Sequence, residues 1–359
     1  MLSMIRWLSM FIALTITFCV AVPLPNAQAN SSKGKVTLTI HTFDKKPYVS
    51  MFEMKTKLAV KLNYNEAEGT IQFAHAGSVY RLMRGTTTIS RDGLFLPVDA
   101  KPYLQTSKKA INIYLPLVVA EQAIGLTVQS KTSTQITLNN ASKPKTADVV
   151  FGSALYKPTR AINVTKATPA QLVTHLAFLQ SPIQGAKVST RDSHLPGAAR
   201  AYRNGIHEGL DWYSDYSAVK INKQTQVKSS ANGVVVRIDA NYVEYKAAER
   251  DRELKIAKQS KQTPAYILDR LRGRTVWVQH EKGVLVRYAH LSKVNPGLKI
   301  GSAVKTGDWL GNVGNSGTSS GVAGSNEDLH LHMDILIYEQ MFWQHLSKAQ
   351  IRFVLSQVF

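Results

Sequence analysis

Two imidazoles stand one residue apart inside the alternating run Leu329-His330-Leu331-His332-Met333-Asp334-Ile335, and that spacing constrains the chain more than any other feature. A period of two belongs to a strand: it sends His330 and His332 to one face while Leu329, Leu331 and Met333 pack on the other. A second segment, Gly205-Ile206-His207-Glu208-Gly209-Leu210-Asp211-Trp212, has the same period. If extended, it puts His207, Gly209 and Asp211 on one face, with Gly209 leaving the space between two ligands open. Zinc takes imidazole nitrogen and carboxylate oxygen at about 2.0–2.2 Å, and a catalytic zinc keeps three protein ligands and one open position. His207, Asp211 and one histidine of the His330/His332 pair make such a set. An isolated His-x-His is as well explained by two satisfied polar residues on a half-exposed strand; the second segment is what favours a metal.

The N-terminus bounds the compartment. Residues 1–6 carry one positive charge, 7–22 are almost wholly apolar, and Pro23, Pro25 and Ala27-Gln28-Ala29 follow. That is the pattern of a secretory signal peptide, 1–29, cleaved after Ala29; the apolar run is short for a retained membrane span. Cys19, the only cysteine, lies inside it, so the mature chain is expected to have no disulfide, cysteine-ligated metal or thiol nucleophile. The expected location is secreted or in the cell envelope. A net charge of +20 asks for an anionic partner. No zinc finger, recognition helix or aromatic-basic pattern points to nucleic acid; an exported protein first meets anionic cell-wall polymers or phospholipid surfaces, and a charge that only keeps the protein soluble is the other reading.

With 359 residues, 44% of them hydrophobic, the chain is long enough for two cores. Between 35 and 138, Val36-Thr37-Leu38-Thr39-Ile40, Thr70-Ile71-Gln72-Phe73 and Gln135-Ile136-Thr137-Leu138 read as short strands. The stretch 115–125 reads as a helix with Pro116 early and Gly125 closing it. The run 51–62, followed by Asn63-Tyr64-Asn65, looks like a diverged first copy of that unit. This region, 31–138, resembles the copper amine oxidase N-terminal-like domain, which implies a small α+β accessory domain for binding or positioning. Nothing suggests copper, because His41 and His75 have no partners at ligand spacing. A linker, 139–180, holds one local helix capped by Thr168 with Pro169 at its first position.

The second domain, 181–359, is expected to be an antiparallel sheet. Asn232-Gly233 turns into a strand; 275–290 is a hairpin around Glu281-Lys282-Gly283 that ends at His290. Between them, 241–274 is a charged helical insertion whose second half has Thr263 as cap, Pro264 first, Ile267, Leu268 and Leu271 on one face and Gly273 as stop. Such an insertion is a candidate lid whose body need not belong to the core. Gly311, Gly314, Gly317, Gly321 and Gly324 do not make a nucleotide-binding loop, since no strand-loop-helix follows; they are expected to line a groove where a substrate backbone comes close.

His207-x-Gly209-x-Asp211, Tyr288-Ala289-His290-Leu291-Ser292, Gly307-x-x-x-Gly311-x-x-Gly314-x-x-Gly317 and His330-x-His332 occur in that order. The arrangement resembles the lysostaphin and LytM type zinc metallopeptidases over about 182–337. The resemblance implies zinc ligands His207, Asp211 and His332, a catalytic pair His290 and His330, and a mainly β fold: an antiparallel β-sheet peptidase domain with a helical insertion. It also implies peptide-bond hydrolysis in bacterial peptidoglycan. Two other readings stay open on the same fold, a catalytically silent envelope scaffold or activator and a secreted protease acting on proteins. Glu208 invites comparison with the His-Glu helix of other zinc proteases, but the expected second histidine is Asp211, which places Glu208 on the opposite face.

Overall fold

A computed structural model describes residues 34–107, 110–139, 149–151, 154–156 and 162–359. The expected signal peptide, Cys19 and much of the expected linker lie outside the described residues. Among the described residues no helix is long and apolar enough to cross a membrane.

The fold is mainly β, as expected. Near the N-terminus, Lys35–Phe43 pairs with both Gln135–Asn139 and Lys46–Ser50 in a six-stranded sheet, and Lys61–Asn65 starts a five-stranded one. Leu38, Val49, Ile71, Phe73, Leu115 and Ile136 fill the core beside these sheets. Two helical expectations change here. The helix starting at Met51 is capped by Ser50 and ends at Lys57, so that Lys61–Asn65 is free to become a strand. Leu115 and Pro116 end the strand Ile111–Pro116, and only a π-helical turn, Val119–Ala123, follows. Sheet pairing with Tyr48 and Val49 overrides the local helical pattern.

The larger antiparallel sheet runs Leu210–Tyr213, His330–Ile337, Val284–Ala289, Val276–His280, Gly233–Ile238 and Ala303–Val304 in spatial order. Its core gathers Trp212, Val235, Val278, Val286, Tyr288, Leu331, Met333 and Ile335. The helix Pro169–Leu176 has the expected Thr168 cap and buries Leu172 and Leu176 in this same core, against the C-terminal helix Lys348–Val358.

The insertion forms the helices Ala247–Gln259 and Ala265–Leu271. Thr263 is not the cap: its hydroxyl bonds Arg203, Pro264 takes the cap position, and the Ala265 N–H donates to Glu68 at 2.8 Å. The insertion also belongs to the folded body. Ile267 and Leu271 pack with Tyr245 and Ala257, and buried Asp269 forms a two-point pair with Arg237 of the sheet at 2.6 and 2.8 Å. Removing one partner of a buried pair leaves a charge without compensation. The insertion therefore cannot be treated as an excursion independent of the core.

The two regions touch through the hairpin Ile89–Arg91 and Leu94–Phe95. Phe95 meets Trp277 edge-on with ring centroids 5.5 Å apart, its N–H donates to Gln279, and Glu339 accepts from Arg81 and Ser90.

Candidate metal centre and catalytic cavity

The strand His330–Ile337 lies between two neighbours in the larger sheet and is buried throughout. Leu331, Met333, Ile335 and Ile337 enter the main core, and the alternation leaves His330, His332 and Asp334 on the opposite face. Cross-strand register places Asp211 directly opposite His332. The expected extended run around His207 is interrupted. Gly205–Ile206 and Leu210–Tyr213 are strands, and 207–209 connects them, carrying His207 over the end of the sheet. Gly209 does not keep a space between ligands open: a Cβ there would stand 2.4 Å from the Met333 carbonyl oxygen, so the connection needs the bare backbone.

Three donor atoms converge. His207 Nε2 is 2.9 Å from Asp211 Oδ1 and 3.0 Å from His332 Nδ1, and His332 Nδ1 is 2.8 Å from Asp211 Oδ1. Tetrahedral ligands at about 2.0–2.1 Å from a zinc stand roughly 3.3 Å apart, so a small spreading of these side chains would admit the ion. The other ring nitrogens support the same reading. His207 Nδ1–H donates to the Leu195 carbonyl at 3.0 Å, and His332 Nε2–H to Asp334 Oδ1 at 2.8 Å. In the neutral rings each bond fixes a tautomer that leaves the converging nitrogen with its lone pair, as metal-ligating histidines require. Burial alone would raise the Asp211 carboxyl; the facing His207, His332 and His330 outweigh it and hold the group well below the usual carboxylate range. Burial likewise works against a charged His332, but Asp334 and Asp211 overcome it and push the ring up to about 9. A metal entering this site has to displace protons.

His290 and His330 stand beside the triad, with ring centroids 4.8 Å apart; His290 is 5.6 Å from His332. His290 Nδ1–H donates to the Ser316 carbonyl and His330 Nδ1–H to that of Asp328, both at 2.7 Å, so each Nε2 keeps a lone pair. Burial, reinforced by the neighbouring rings, holds His290 well below 6.5; burial also lowers His330, against the opposing charge of Asp211. Both are neutral bases at neutral pH. His290 sits at φ +59°, just past the end of its strand, a conformation held by its N–H bond to the Arg272 carbonyl.

All five expected residues thus line one cavity of about 350 Å³. Glu208 also faces it, in a buried pair with Arg203 at 2.8 Å, which ties its carboxylate down. The glycines 311, 314 and 317 were expected to admit a substrate backbone. A Cβ at these positions would instead stand 2.4 Å from Lys293 O, Ser292 N and Leu271 O, so they admit the protein's own chain.

Sequence reasoning missed the support behind the metal group. Asp334 is fully buried, and its Oδ2 faces Arg272 Nε at 2.9 Å and Arg287 Nε at 2.8 Å. The signal was present, because the period of two that joins His330 to His332 continues to Asp334. Tyr213, stacked on His330 at 4.4 Å, was legible in the same way, two residues after Asp211. The carbonyls of Leu195, Ser316 and Asp328 have no side-chain signature.

The model of peptidase family M23 matches residues 205–342. No curated protein matches the chain. Among solved structures, the catalytic domain of lysostaphin from Staphylococcus simulans is 20% identical, with 40% of this chain and 73% of that one covered and a TM-score of 0.23. A putative M23 peptidase from Pseudomonas aeruginosa is 17% identical over 72% of this chain and 85% of its own, with a TM-score of 0.27. The catalytic domain of a prophage-encoded M23 protein, EnpA, from Enterococcus faecalis is 15% identical over 46% and 92%, with a TM-score of 0.28.

Proposed function

The chain carries a peptidase family M23 domain across residues 205–342, and from that premise we propose that it is an exported zinc-dependent endopeptidase acting on the peptides of bacterial peptidoglycan. The observation that carries this reading is the convergence of His207, Asp211 and His332 within 3.0 Å of one another, beside two neutral imidazoles with uncommitted Nε2 atoms. A silent scaffold has no use for that second pair.

The three converging residues would hold the ion, and zinc bound there would supply Lewis acidity, activating water and polarising the scissile carbonyl. His330 Nε2 accepts the proton of the attacking water; His290 Nε2, which carries a lone pair in the resting ring, steadies the developing oxyanion or serves the leaving amine only after it has itself taken up a proton released in the reaction. Asp334 and the Leu195 carbonyl orient the ligand rings, and the Ser316 and Asp328 carbonyls orient the catalytic ones. Residues 31–138 act as the accessory domain that positions the enzyme on its polymer, with anionic cell-wall polymers as the partner of the basic surface.

The test is zinc content of the purified protein together with mass spectrometry of digested sacculi, with casein as the comparison substrate. Zinc near one per chain and new peptide termini from sacculi are expected. Casein cleavage with untouched sacculi would move the reading to a protein-directed protease, and a metal-free inert protein would move it to a scaffold.

A further inference from the structure

Four arginines wall the catalytic cavity, Arg200, Arg203, Arg250 and Arg272, against three carboxylates, Glu208, Asp211 and Asp328. Three of the four are committed. Arg203 is bound to Glu208 and the Ile206 carbonyl, and Arg272 to Asp334. Arg200 spans the Ser193 carbonyl at 3.1 Å and Asp211 at 3.5 Å. The carboxylates are also taken: Asp328 accepts from Ser320, and Asp211 belongs to the metal group.

Arg250 differs. It comes from the insertion helix Ala247–Gln259, and its guanidinium has no hydrogen-bond or ion-pair partner among the described residues. Its Nε is shut off from solvent with no acceptor. Buried donors in native proteins are nearly always satisfied, and a specific exception calls for a reason. Nε is closed to a ligand as it is to water, so what the side chain offers to the cavity that it lines is its two Nη groups, which no carboxylate of the described residues occupies. A guanidinium presents its donors as a planar fork that matches a carboxylate with two parallel bonds. A bound divalent ion would make this wall more positive still, which excludes a cationic ligand group and favours an anionic one.

We propose that Arg250 reads a carboxylate on the substrate: the cavity takes peptides with a free carboxylate near the scissile bond, and the insertion exists in part to supply that residue. The inference rests on the peptidase reading for its context. The carboxylate is either a peptide C-terminus or an acidic side chain, and both present the same two oxygens.

Binding to metal-free protein tests this, because a bound metal would itself attract carboxylates. Three N-acetylated tripeptides serve as probes in calorimetric titration: an alanine tripeptide with a free C-terminus, alanine-glutamate-alanine amide, and alanine-glutamine-alanine amide. At least one acidic probe is expected to bind about tenfold or more tighter than the neutral one. Arg250→Gln should bring that ratio to about one, and Arg250→Lys, which keeps the charge but loses the fork, should fall between. The acidic probe that shows the preference identifies the source of the carboxylate. Equal binding of all three probes, including no binding of any, overturns the inference. So does a preference that persists in Arg250→Gln with an unchanged unfolding midpoint. A zinc-loaded protein that cleaves no peptide, while the binding preference follows Arg250, counts against the peptidase reading and leaves this inference standing.

Discussion

The two halves of the described chain solve burial differently. In the N-terminal region the core is aliphatic and aromatic; its buried polar residues are few, His75, Thr86, Thr88, Ser90 and Arg91. In the C-terminal half, Asp211, Arg237, Asp269, Arg272, Arg287, His330, His332 and Asp334 are all buried. Apolar burial stabilises through area alone, whereas buried charge stabilises nothing unless every partner is in place. Part of this network, Asp334 with Arg272 and Arg287, fixes the orientation of the His332 ring, and all the expected site residues lie on that side. Among the described residues of 34–139, none lines the cavity that holds these residues.

That contrast can be broken by experiment, and the largest effect should come from the metal group. His332→Ala should remove both zinc and turnover, whereas His330→Ala should retain zinc and lose turnover by about 10²–10⁴-fold. Metal analysis alongside an activity assay separates them; equal metal loss in the two variants would collapse the division between ligand and base. Asp334→Ala comes next. It leaves Arg272 and Arg287 buried without their shared carboxylate, so urea unfolding should show a loss of about 3–5 kcal/mol, with zinc bound about 10–100-fold more weakly. A loss below about 1 kcal/mol would show that water reaches the arginines.

The third effect is a pH dependence. His280 is fully buried, its Nδ1–H bonded to the Asn232 carbonyl, and burial pushes its pKa down to about 4. Between about 6.5 and 4 the unfolded chain binds this proton and the folded chain does not, so stability falls as pH falls through that window. The contribution is about 3 kcal/mol. His280→Gln should flatten the slope of unfolding free energy between pH 6.5 and 4 relative to wild type, and an identical slope would refute the assignment. The smallest effect belongs to the other half. Lys57→Ala removes a partly exposed pair with Glu53 and should change stability by about 1 kcal/mol or less, with zinc content and turnover untouched.

The sequence made the site legible because strand periodicity is a local property. His330 and His332 share a face by arithmetic, and the hairpin that delivers His290 has turn residues at its bend. Local chemistry also located the Thr168 cap, and the Ser347-x-x-Gln350 box could have located the C-terminal helix in the same way. Reading failed where a distant strand decided the outcome. Leu115 and Pro116 look helical until Tyr48 and Val49 claim them for a sheet, and Thr263 looks like a cap until Arg203 takes its hydroxyl.

What the sequence determined by itself was which residues are candidates for the proposed chemistry: two histidines in period two, a His-x-Gly-x-Asp segment and a histidine at a hairpin's end. Tertiary structure alone decided how each ring is held. The lone pair that each imidazole presents is set by an acceptor on its far side, and those acceptors, apart from Asp334, are backbone carbonyls brought in by loops. Every residue has a carbonyl, so no residue type announces which one will be used; only the packed chain selects it.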